Sequence, residues 1–274
     1  MKAALPSSAL ELAEWPWERI QPYVQELENT PLDAGSLESW LADWSRLWSL
    51  FDEAYWRLYV AVSVDTTDQE AERRYNEFLD GHRTRSEEVN QRLKEKLLES
   101  GLEPANFSIP MRNLRAQAEI FRPENLPLLN EHFKLGSEYE RLIGAQTIVW
   151  DGKETTLPQL EPVYQEADRE RRQSAWLQAS QRALADRQQI NDLWGRALQV
   201  RRKLAENAGL PDYRAYRWMH LLRFDYTPAD CDRFHQAIEE VVVPAARRIY
   251  EKRRQQLGLE SLRPWDLKVD LFGQ

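Results

Sequence analysis

The stretch WGRALQVRRKLAENAGLP, residues 194–211, decides the class of fold because it has the pattern of a helix with a defined end. Several of its side chains recur every three or four residues, which places them on one helix face: Trp194, Ala197, Leu198, Arg201, Leu204, Ala205 and Ala208. Gly209 accepts the left-handed conformation of a helix cap, and Pro211 cannot continue a helix. The sequence therefore predicts a helix that ends at Gly209-Leu210-Pro211.

An aromatic elbow and a second helix follow this first helix. The elbow contains Tyr213, Tyr216, Trp218, Phe224 and Tyr226. Thr227-Pro228-Ala229-Asp230 then offers a hydroxyl cap, a proline for the first turn and an acid near the positive end of the helix dipole. A second apolar stripe runs to Leu257-Gly258 through Phe234, Ile238, Val241, Ala245, Ile249 and Tyr250.

Arg201 is the one polar residue that stands out in the first stripe. A buried guanidinium needs a partner, because an unpaired buried charge costs several kcal/mol. We expect a carboxylate or helix-end carbonyls as that partner, with Asp212 and Asp225 as candidates. The alternative is that the alkyl stem of Arg201 packs while its head reaches water.

The N-terminal half is also predicted to be helical. Residues 9–29 should form two short helices because Pro16 and Pro22 interrupt them. Ser36 can cap a helix whose stripe contains Trp40, Trp44, Leu47, Trp48, Phe51, Tyr55 and Leu58. Thr67 and Glu70 have the spacing of a capping box for the next helix, which ends at Gly101, carries His82 in its apolar stripe and has charged residues on the other face. We expect His82 to be an interior, hydrogen-bonded residue.

The remaining segments complete a predominantly α-helical prediction. Helices are expected from Ser108 to about Phe121, from Glu124 to about Gly144 and over 158–189, where Asp168–Arg172 should be a solvated, charged face. Residues 146–157 alternate around Asp151-Gly152 and predict a small β-hairpin. The predicted fold is all-α with this one hairpin, divided into a helical domain over 1–190 and the start of a catalytic domain over 191–274.

Composition narrows the class of protein. The chain has 274 residues, and its 37 Lys and Arg against 45 Asp and Glu give a net charge of −8. That balance argues against nucleic acid or an anionic membrane as the main partner. The single cysteine, Cys231, excludes an intramolecular disulfide and suits a reducing compartment. With neither a signal peptide nor an apolar run long enough to span a membrane, we expect a cytoplasmic protein.

Metal-binding and nucleophilic motifs do not emerge from the residues alone. None of His82, His132, His220 and His235 begins a His-Glu-x-x-His sequence. His235 and Glu239 lie one helical turn apart, but a pair without a third ligand rarely holds a metal, and a surface hydrogen bond is the simpler interpretation. There is also no Gly-rich phosphate loop and no Gly-x-Ser-x-Gly elbow. We assign no catalytic and no metal-binding residue, and substrate-binding residues remain unknown.

Three stretches, taken in order, resemble the N-terminal half of oligoendopeptidase F-type enzymes, which are thimet-oligopeptidase-like zinc metallopeptidases. The first stretch is Asp65–Ala71 with Arg74-Tyr75. The second contains Leu142–Gln146, Trp150–Gly152, Thr156-Leu157 and Asp168–Arg172. The third contains Arg201–Ala205, Gly209, Tyr213, Tyr216, Phe224–Pro228, Val243-Pro244, Leu257-Gly258 and Pro264–Asp266.

The resemblance implies peptide hydrolysis, but it transfers no catalytic role to these residues. Members of the family hold zinc with the two histidines of a His-Glu-x-x-His helix and a further glutamate, and the motif glutamate is the general base. That motif lies C-terminal to the region of likeness, so the zinc ligands are expected outside this chain. For the N-terminal region itself, the resemblance implies a wall of a deep channel that admits short, unfolded peptides.

The end of the sequence and its length leave three expectations open. Leu267–Gln274 has the composition of an apolar stub, with Leu271 and Phe272, that would pack on a later segment. The favoured interpretation is therefore the N-terminal portion of a cytoplasmic zinc metalloendopeptidase, inactive by itself. The alternatives are a stand-alone, non-catalytic helical module that binds peptides or proteins, and one half of a split peptidase.

Overall fold

The computed structural model describes residues 4–269 and consists mainly of helices. These residues form the α-helices α1 (Ala9–Glu14), α2 (Trp17–Asn29), α3 (Leu37–Val64), α4 (Gln69–Phe78), α5 (Thr84–Glu99), α6 (Ser108–Ile120), α7 (Asn125–Gly144), α8 (Arg169–Ala185), α9 (Arg187–Asn207), α10 (Tyr213–His220), α11 (Pro228–Ala237) and α12 (Val243–Gln256). Two strands, β1 (Thr147–Trp150) and β2 (Lys153–Thr156), form an antiparallel hairpin. The predicted mainly α fold with one hairpin is confirmed.

Short helical turns fill several of the connections. They are π-helical turns at Leu79–Arg83 and Ile238–Val242, and 3-10 turns at Leu157–Leu160, Val163–Gln165 and Pro264–Asp266. Within residues 4–269, no helix combines the length and the apolar character that a membrane span requires. Leu271 and Phe272 of the predicted apolar stub lie outside the described residues.

The chain divides into two compact units, each built from two separate segments. Unit 1 contains the residues up to Arg141 together with Leu193–Leu222, and unit 2 contains Leu142–Asp192 together with the residues from Arg223 onward. The sequence predicted a helical domain over 1–190 and the start of a catalytic domain over 191–274. That division was based on function as well as on packing, and it stays a prediction.

The core of unit 1 is organised by the tryptophan stripe of α3. Trp40 and Trp44 are buried, and the indole nitrogen of each donates a hydrogen bond to an interior acceptor. Trp40 Nε1 donates to the Leu27 carbonyl of α2 (2.9 Å), and Trp44 Nε1 donates to Oδ1 of Asn90 on α5 (3.0 Å). Buried indoles therefore fix both the packing and the orientation of the helices around α3.

Two helix starts and one position inside a helix of unit 1 test the predicted helix boundaries. Pro16 separates α1 from α2 as predicted, but Pro22 lies inside α2 and does not end it. The predicted Thr67–Glu70 capping box is wrong: Asp68 is the cap of α4, and its Oδ1 accepts from the backbone amides of Glu70 and Ala71. An aspartate one residue nearer the helix satisfies the same amides, and Thr67 turns to Asp65 instead.

Unit 2 contains the hairpin and a small core. Asp151 and Gly152 both have positive φ, 49° and 76°, as a two-residue type I′ turn requires. Leu160, Val163 and Ala175 are buried together beneath the hairpin residues Ile148 and Trp150. Asp168 caps α8 by accepting from the amides of Glu170 and Arg171.

Candidate functional site

The predicted first helix is confirmed as α9, and Ala197, Leu204, Ala205 and Ala208 of its predicted stripe are buried, but the buried face is shifted towards Leu193 and Val200. The buried side chains are Leu193, Ala197, Val200, Leu204 and Ala205. Trp194 is exposed, so it lies at the edge of the stripe and not within it. The predicted end is confirmed by Gly209, whose φ is +71°, and by the Leu210 amide, which bonds back to the Ala205 carbonyl at 3.0 Å.

Arg201 contacts a histidine rather than a carboxylate. Its Nε donates to Nε2 of His132 on α7 at 2.9 Å, and its guanidinium lies over the rings of Trp194 (4.9 Å) and Tyr213 (5.4 Å). Asp212, one predicted partner, instead caps α10 by accepting from the Ala215 amide. In place of the predicted carboxylate, the partly buried Arg201 guanidinium bonds to an imidazole and lies over two aromatic rings.

The protonation of His132 fits this arrangement. Burial, with the positive charges of Arg201 and Arg217, lowers the pKa of His132 below its ordinary value. A neutral imidazole can offer Nε2 as an acceptor, whereas an imidazolium cannot. The Arg201–His132 contact thus needs the neutral ring that its surroundings favour.

The fully buried arginine of the chain's second half is Arg172, in the segment predicted to be a solvated face. Its side chain is 2% exposed, and its Nη2 lies 3.2 Å from Oδ1 of Asp266, which is 0% exposed. Nε donates to the Trp265 carbonyl, and Nη1 donates to the carbonyls of Glu166 and Ala167. The prediction for Asp168–Arg172 is therefore wrong at Arg172, because a distant aspartate and three carbonyls satisfy its guanidinium.

Asp266 holds a second arginine and a backbone amide as well. Arg169 binds the carboxylate with two parallel hydrogen bonds of 3.0 and 2.9 Å, and the Arg263 amide donates to Oδ2 at 2.9 Å. Burial alone would raise the pKa of Asp266, but the hydrogen bonds from Arg169 and Arg263 outweigh burial and lower it. This ion-pair cluster ties the first turn of α8 to the 3-10 turn Pro264–Asp266. Arg172 and Asp266 both lie in stretches that carried the family resemblance, which is the signal that could have paired them.

The predicted second helix is interrupted once. Thr227 and Asp230 form the predicted cap, with the Thr227 hydroxyl accepting from the Asp230 amide. The helix then runs through α11, the π-helical turn Ile238–Val242 and α12. Pro244 has no amide proton and would clash with the carbonyl four residues earlier, and the wider turn just before it relieves this conflict.

The apolar stripe of this second helix is uncovered. None of the residues of α11, the π-helical turn or α12 is buried. Phe234 and Ile249 are each 65% exposed, and Val241 and Tyr250 are exposed as well. We call these four side chains the uncovered face. Exposed apolar side chains that follow one another along a helix are typical of surfaces that bind a protein, a membrane or a ligand.

The histidines and the His235–Glu239 pair that were considered as metal ligands do not lie around a common point with a third ligand. His235 and Glu239 are both exposed on the second helix. Among residues 4–269, no group of three or more His, Cys, Asp or Glu side chains is arranged to hold a metal ion. His82 is interior as predicted, with Nε2 2.7 Å from the Trp15 carbonyl. The described residues therefore do not fit the zinc site of the family that the sequence resembles.

Comparison with known protein families gives a match in the segment that contains α8 to α12. The model of Peptidase family M3 matches residues 163–270, which span α8 to α12 and the Arg172–Asp266 pair. No curated protein matches the chain.

Solved structures extend the likeness to nearly the whole fold. PZ peptidase A with inhibitor 2 has a TM-score of 0.86 at 21% identity, over 93% of this chain and 46% of that one. Oligoendopeptidase-F from Enterococcus faecium has a TM-score of 0.72 at 14% identity, over 98% of this chain and 57% of that one. The chain thus spans about half of the length of these structures. The predicted resemblance to the oligoendopeptidase F-type peptidases of family M3 is confirmed.

Proposed function

We propose that this chain is the N-terminal portion of a zinc metalloendopeptidase that hydrolyses short peptides. The observation that carries the proposal is the match of residues 163–270 to Peptidase family M3. The fold supports it, because peptidase structures about twice as long contain the same arrangement of helices.

The role proposed for this portion is steric and positional. Rigid helices that wall a channel admit an extended peptide and exclude a folded protein, and they hold the peptide where reaction can occur. The Arg172–Asp266 cluster supplies some of that rigidity, since two arginines share one fully buried carboxylate.

The zinc-dependent chemistry is assigned to residues outside the described region of this chain. The side chains of residues 4–269 present no converging set of zinc ligands. We therefore derive no catalytic step from them, and expect the ligands and the general base in the remainder of the enzyme. The compartment we propose is the cytoplasm, which one cysteine in 274 residues suits.

The uncovered face supports a larger protein over a stand-alone module. Phe234, Val241, Ile249 and Tyr250 expose apolar area along a single helix. The occupant we propose for this face is the rest of the peptidase, which the length of the matched structures leaves room for. A non-catalytic binding module and half of a split peptidase are the outcomes that would replace this proposal.

Two observations on the gene and the protein test the proposal. The coding sequence after the codon for Gln274 should continue in frame and contain His-Glu-x-x-His. An immediate stop codon would instead favour the module or the split enzyme. The purified 274-residue chain should contain no stoichiometric zinc and should not cleave a fluorogenic peptide. Stoichiometric zinc with chelator-sensitive cleavage by this chain alone would overturn the assignment of catalysis to other residues.

A further inference from the structure

Unit 1 contains a cavity that the peptidase assignment does not use. Its volume is about 440 Å³, within the range of about 300–1,000 Å³ typical of small-molecule sites. The side chains of α3, α5, α6, α7 and α10 contribute to its lining. Its walls include the aromatic rings of Trp48, Trp56, Phe121 and Phe133.

One polar stripe at the start of α5 and along it faces this cavity. Arg83, Glu87, Asn90 and Lys94 recur at spacings of four, three and four residues, and all line the cavity. The π-helical turn Leu79–Arg83 sets the start of the stripe. The Leu79 carbonyl in that turn accepts hydrogen bonds from Nδ2 of Asn130 (2.8 Å) and from the Thr84 hydroxyl (3.2 Å). The turn is therefore held by specific partners.

Lys94 is the unusual member of the stripe. Its side chain is 8% exposed, and among residues 4–269 it makes no hydrogen bond and no ion pair within 4.0 Å. Burial lowers the pKa of Lys94, and the charge of Glu87 only partly opposes that effect. Glu87 itself lies 3.6 Å from Arg83. Lys94 is therefore a largely buried cation in the lining of the cavity, and an anion bound in the cavity can pair with it.

The other charged groups around the cavity differ in their availability. The Arg122 guanidinium is occupied by the carbonyls of Glu119, Phe121 and Asn207. Arg83 lies over the ring of Tyr55 at 4.2 Å and pairs with Glu87. Glu87 is the single carboxylate among the described residues of the lining. Lys94 and the exposed Arg217 are thus the cations best placed to receive an anion.

His220 lies beside the cations of the cavity. It lines the cavity and is itself exposed, and partial desolvation of its ring, with the positive charges of Arg217, Arg83 and Lys94, lowers the pKa of His220. Nη1 of Arg217 donates to Nδ1 of His220 at 2.8 Å, since a guanidinium has no acceptor. The neutral His220 ring therefore carries its proton on Nε2. This N–H is a further hydrogen-bond donor in the lining of the cavity.

We propose that this cavity binds a small organic carboxylate with an aromatic or aliphatic body, its carboxylate held by Lys94 and Arg217. The charge requires an anion, and the size and aromatic walls favour an organic body over an inorganic ion. The site does not depend on the proposed peptidase activity.

The test uses a matched pair of probes, N-acetyl-L-phenylalanine and its neutral amide, with inorganic phosphate as a third. Calorimetry should show that the purified protein binds the acid at least about tenfold more tightly than the amide, the loss expected for one hydrogen bond to a charged group. In NMR titrations of the histidine rings, the bound acid should raise the pKa of His220, because it neutralises the neighbouring cations. Equal affinity for acid and amide, or binding of phosphate without the acid, would overturn the proposal.

Substitutions locate the site. Lys94→Met and Arg217→Met should each weaken binding of the acid at least about tenfold, whereas Lys203→Met, at an exposed lysine of α9, should leave it unchanged. Lys94→Met should keep or raise the melting temperature, since it removes a buried charge. Arg217 is exposed, so its substitution tests binding even if the Lys94 variant fails to fold. Wild-type affinity in both variants would contradict the assignment.

Discussion

Two helices from one stretch of sequence, α9 and the α11–α12 helix, carry apolar side chains at the same spacing but differ in burial. Leu204 of α9 is 0% exposed, whereas Phe234 and Ile249 are 65% exposed. Polar groups also fasten α9: Nδ2 of Asn125 donates to the Leu204 carbonyl and Nε of Arg122 donates to the Asn207 carbonyl. Periodicity therefore identifies which side chains share a face, and it does not identify what covers that face.

The two arginines Arg201 and Arg172 make a second contrast. Arg201 lies in an apolar stripe but is only partly buried, while Arg172 lies in a charged run and is fully buried. Burial of a charge follows its distant partners, which for Arg172 are Asp266 and the Trp265 carbonyl. Substitutions at both kinds of position test whether burial sets the contribution of each side chain to stability.

The largest effect is expected at the buried carboxylate. Asp266→Ala leaves the buried Arg172 without its counter-charge and should lower the free energy of unfolding by about 3–5 kcal/mol, measured by urea denaturation. Glu161→Ala removes the exposed partner of Lys268 in the same unit and should cost no more than about 1 kcal/mol. Equal, small costs would show that burial of the Arg172–Asp266 pair does not matter.

The Asp266 contribution should also depend on pH. The pKa of Asp266 is lowered in the folded protein, so its contribution is complete above the unfolded pKa of about 4. It is lost as pH falls through the lower, folded pKa. The difference in unfolding free energy between wild type and Asp266→Ala should therefore be constant near pH 7 and shrink in acid. A difference that grows below about pH 4 would contradict the account.

Truncation of one apolar side chain on each helix should separate the two faces. Leu204→Ala creates a cavity in a packed interior and should cost about 2–5 kcal/mol in the free energy of unfolding. Phe234→Ala removes an exposed side chain and should change that free energy by no more than about 0.5 kcal/mol. A large cost for Phe234→Ala in the 274-residue chain would mean that its face is already packed.

A smaller effect is expected at Arg201. Arg201→Met removes one hydrogen bond and two ring contacts and should cost about 1 kcal/mol in the free energy of unfolding. The same change removes a cation next to His132, so the pKa of His132 should rise towards its ordinary value in an NMR titration. An unchanged pKa of His132 would show that the Arg201 contact does not set its protonation.

Capping residues, turn residues and the spacing of apolar side chains predicted much of the fold. Pro16, the Thr227–Asp230 cap, Gly209 and the Asp151-Gly152 turn act through backbone conformation within a few residues, and each appears at its predicted position. Such features need no tertiary partner.

The wrong predictions have a common physical origin: contacts with neighbouring residues decide which of several locally possible structures forms. Asp68 and Thr67 compete for the same amides, and the residue nearer the helix prevails. Pro22 is tolerated because the buried side chains of α2 hold the helix on both sides of it. Lys94 belongs to a helix predicted to carry charged residues on the face opposite its apolar stripe, yet Lys94 is buried and lines a cavity to which α7 and α10 also contribute. The absence of a zinc site from this chain remains a prediction.

The most direct measurement of the central claim is the accessibility of position 249. In a Cys231→Ser background, Ile249→Cys should react rapidly with a maleimide in the 274-residue chain. Arg247→Cys, two residues away on another face of the helix, is the matched control and should react at the same rate in every context. In a longer product of the same gene, the account predicts that the thiol at 249 becomes protected while the thiol at 247 stays reactive. Equal reactivity of the thiol at 249 in both proteins would contradict the claim that the rest of a peptidase covers this face.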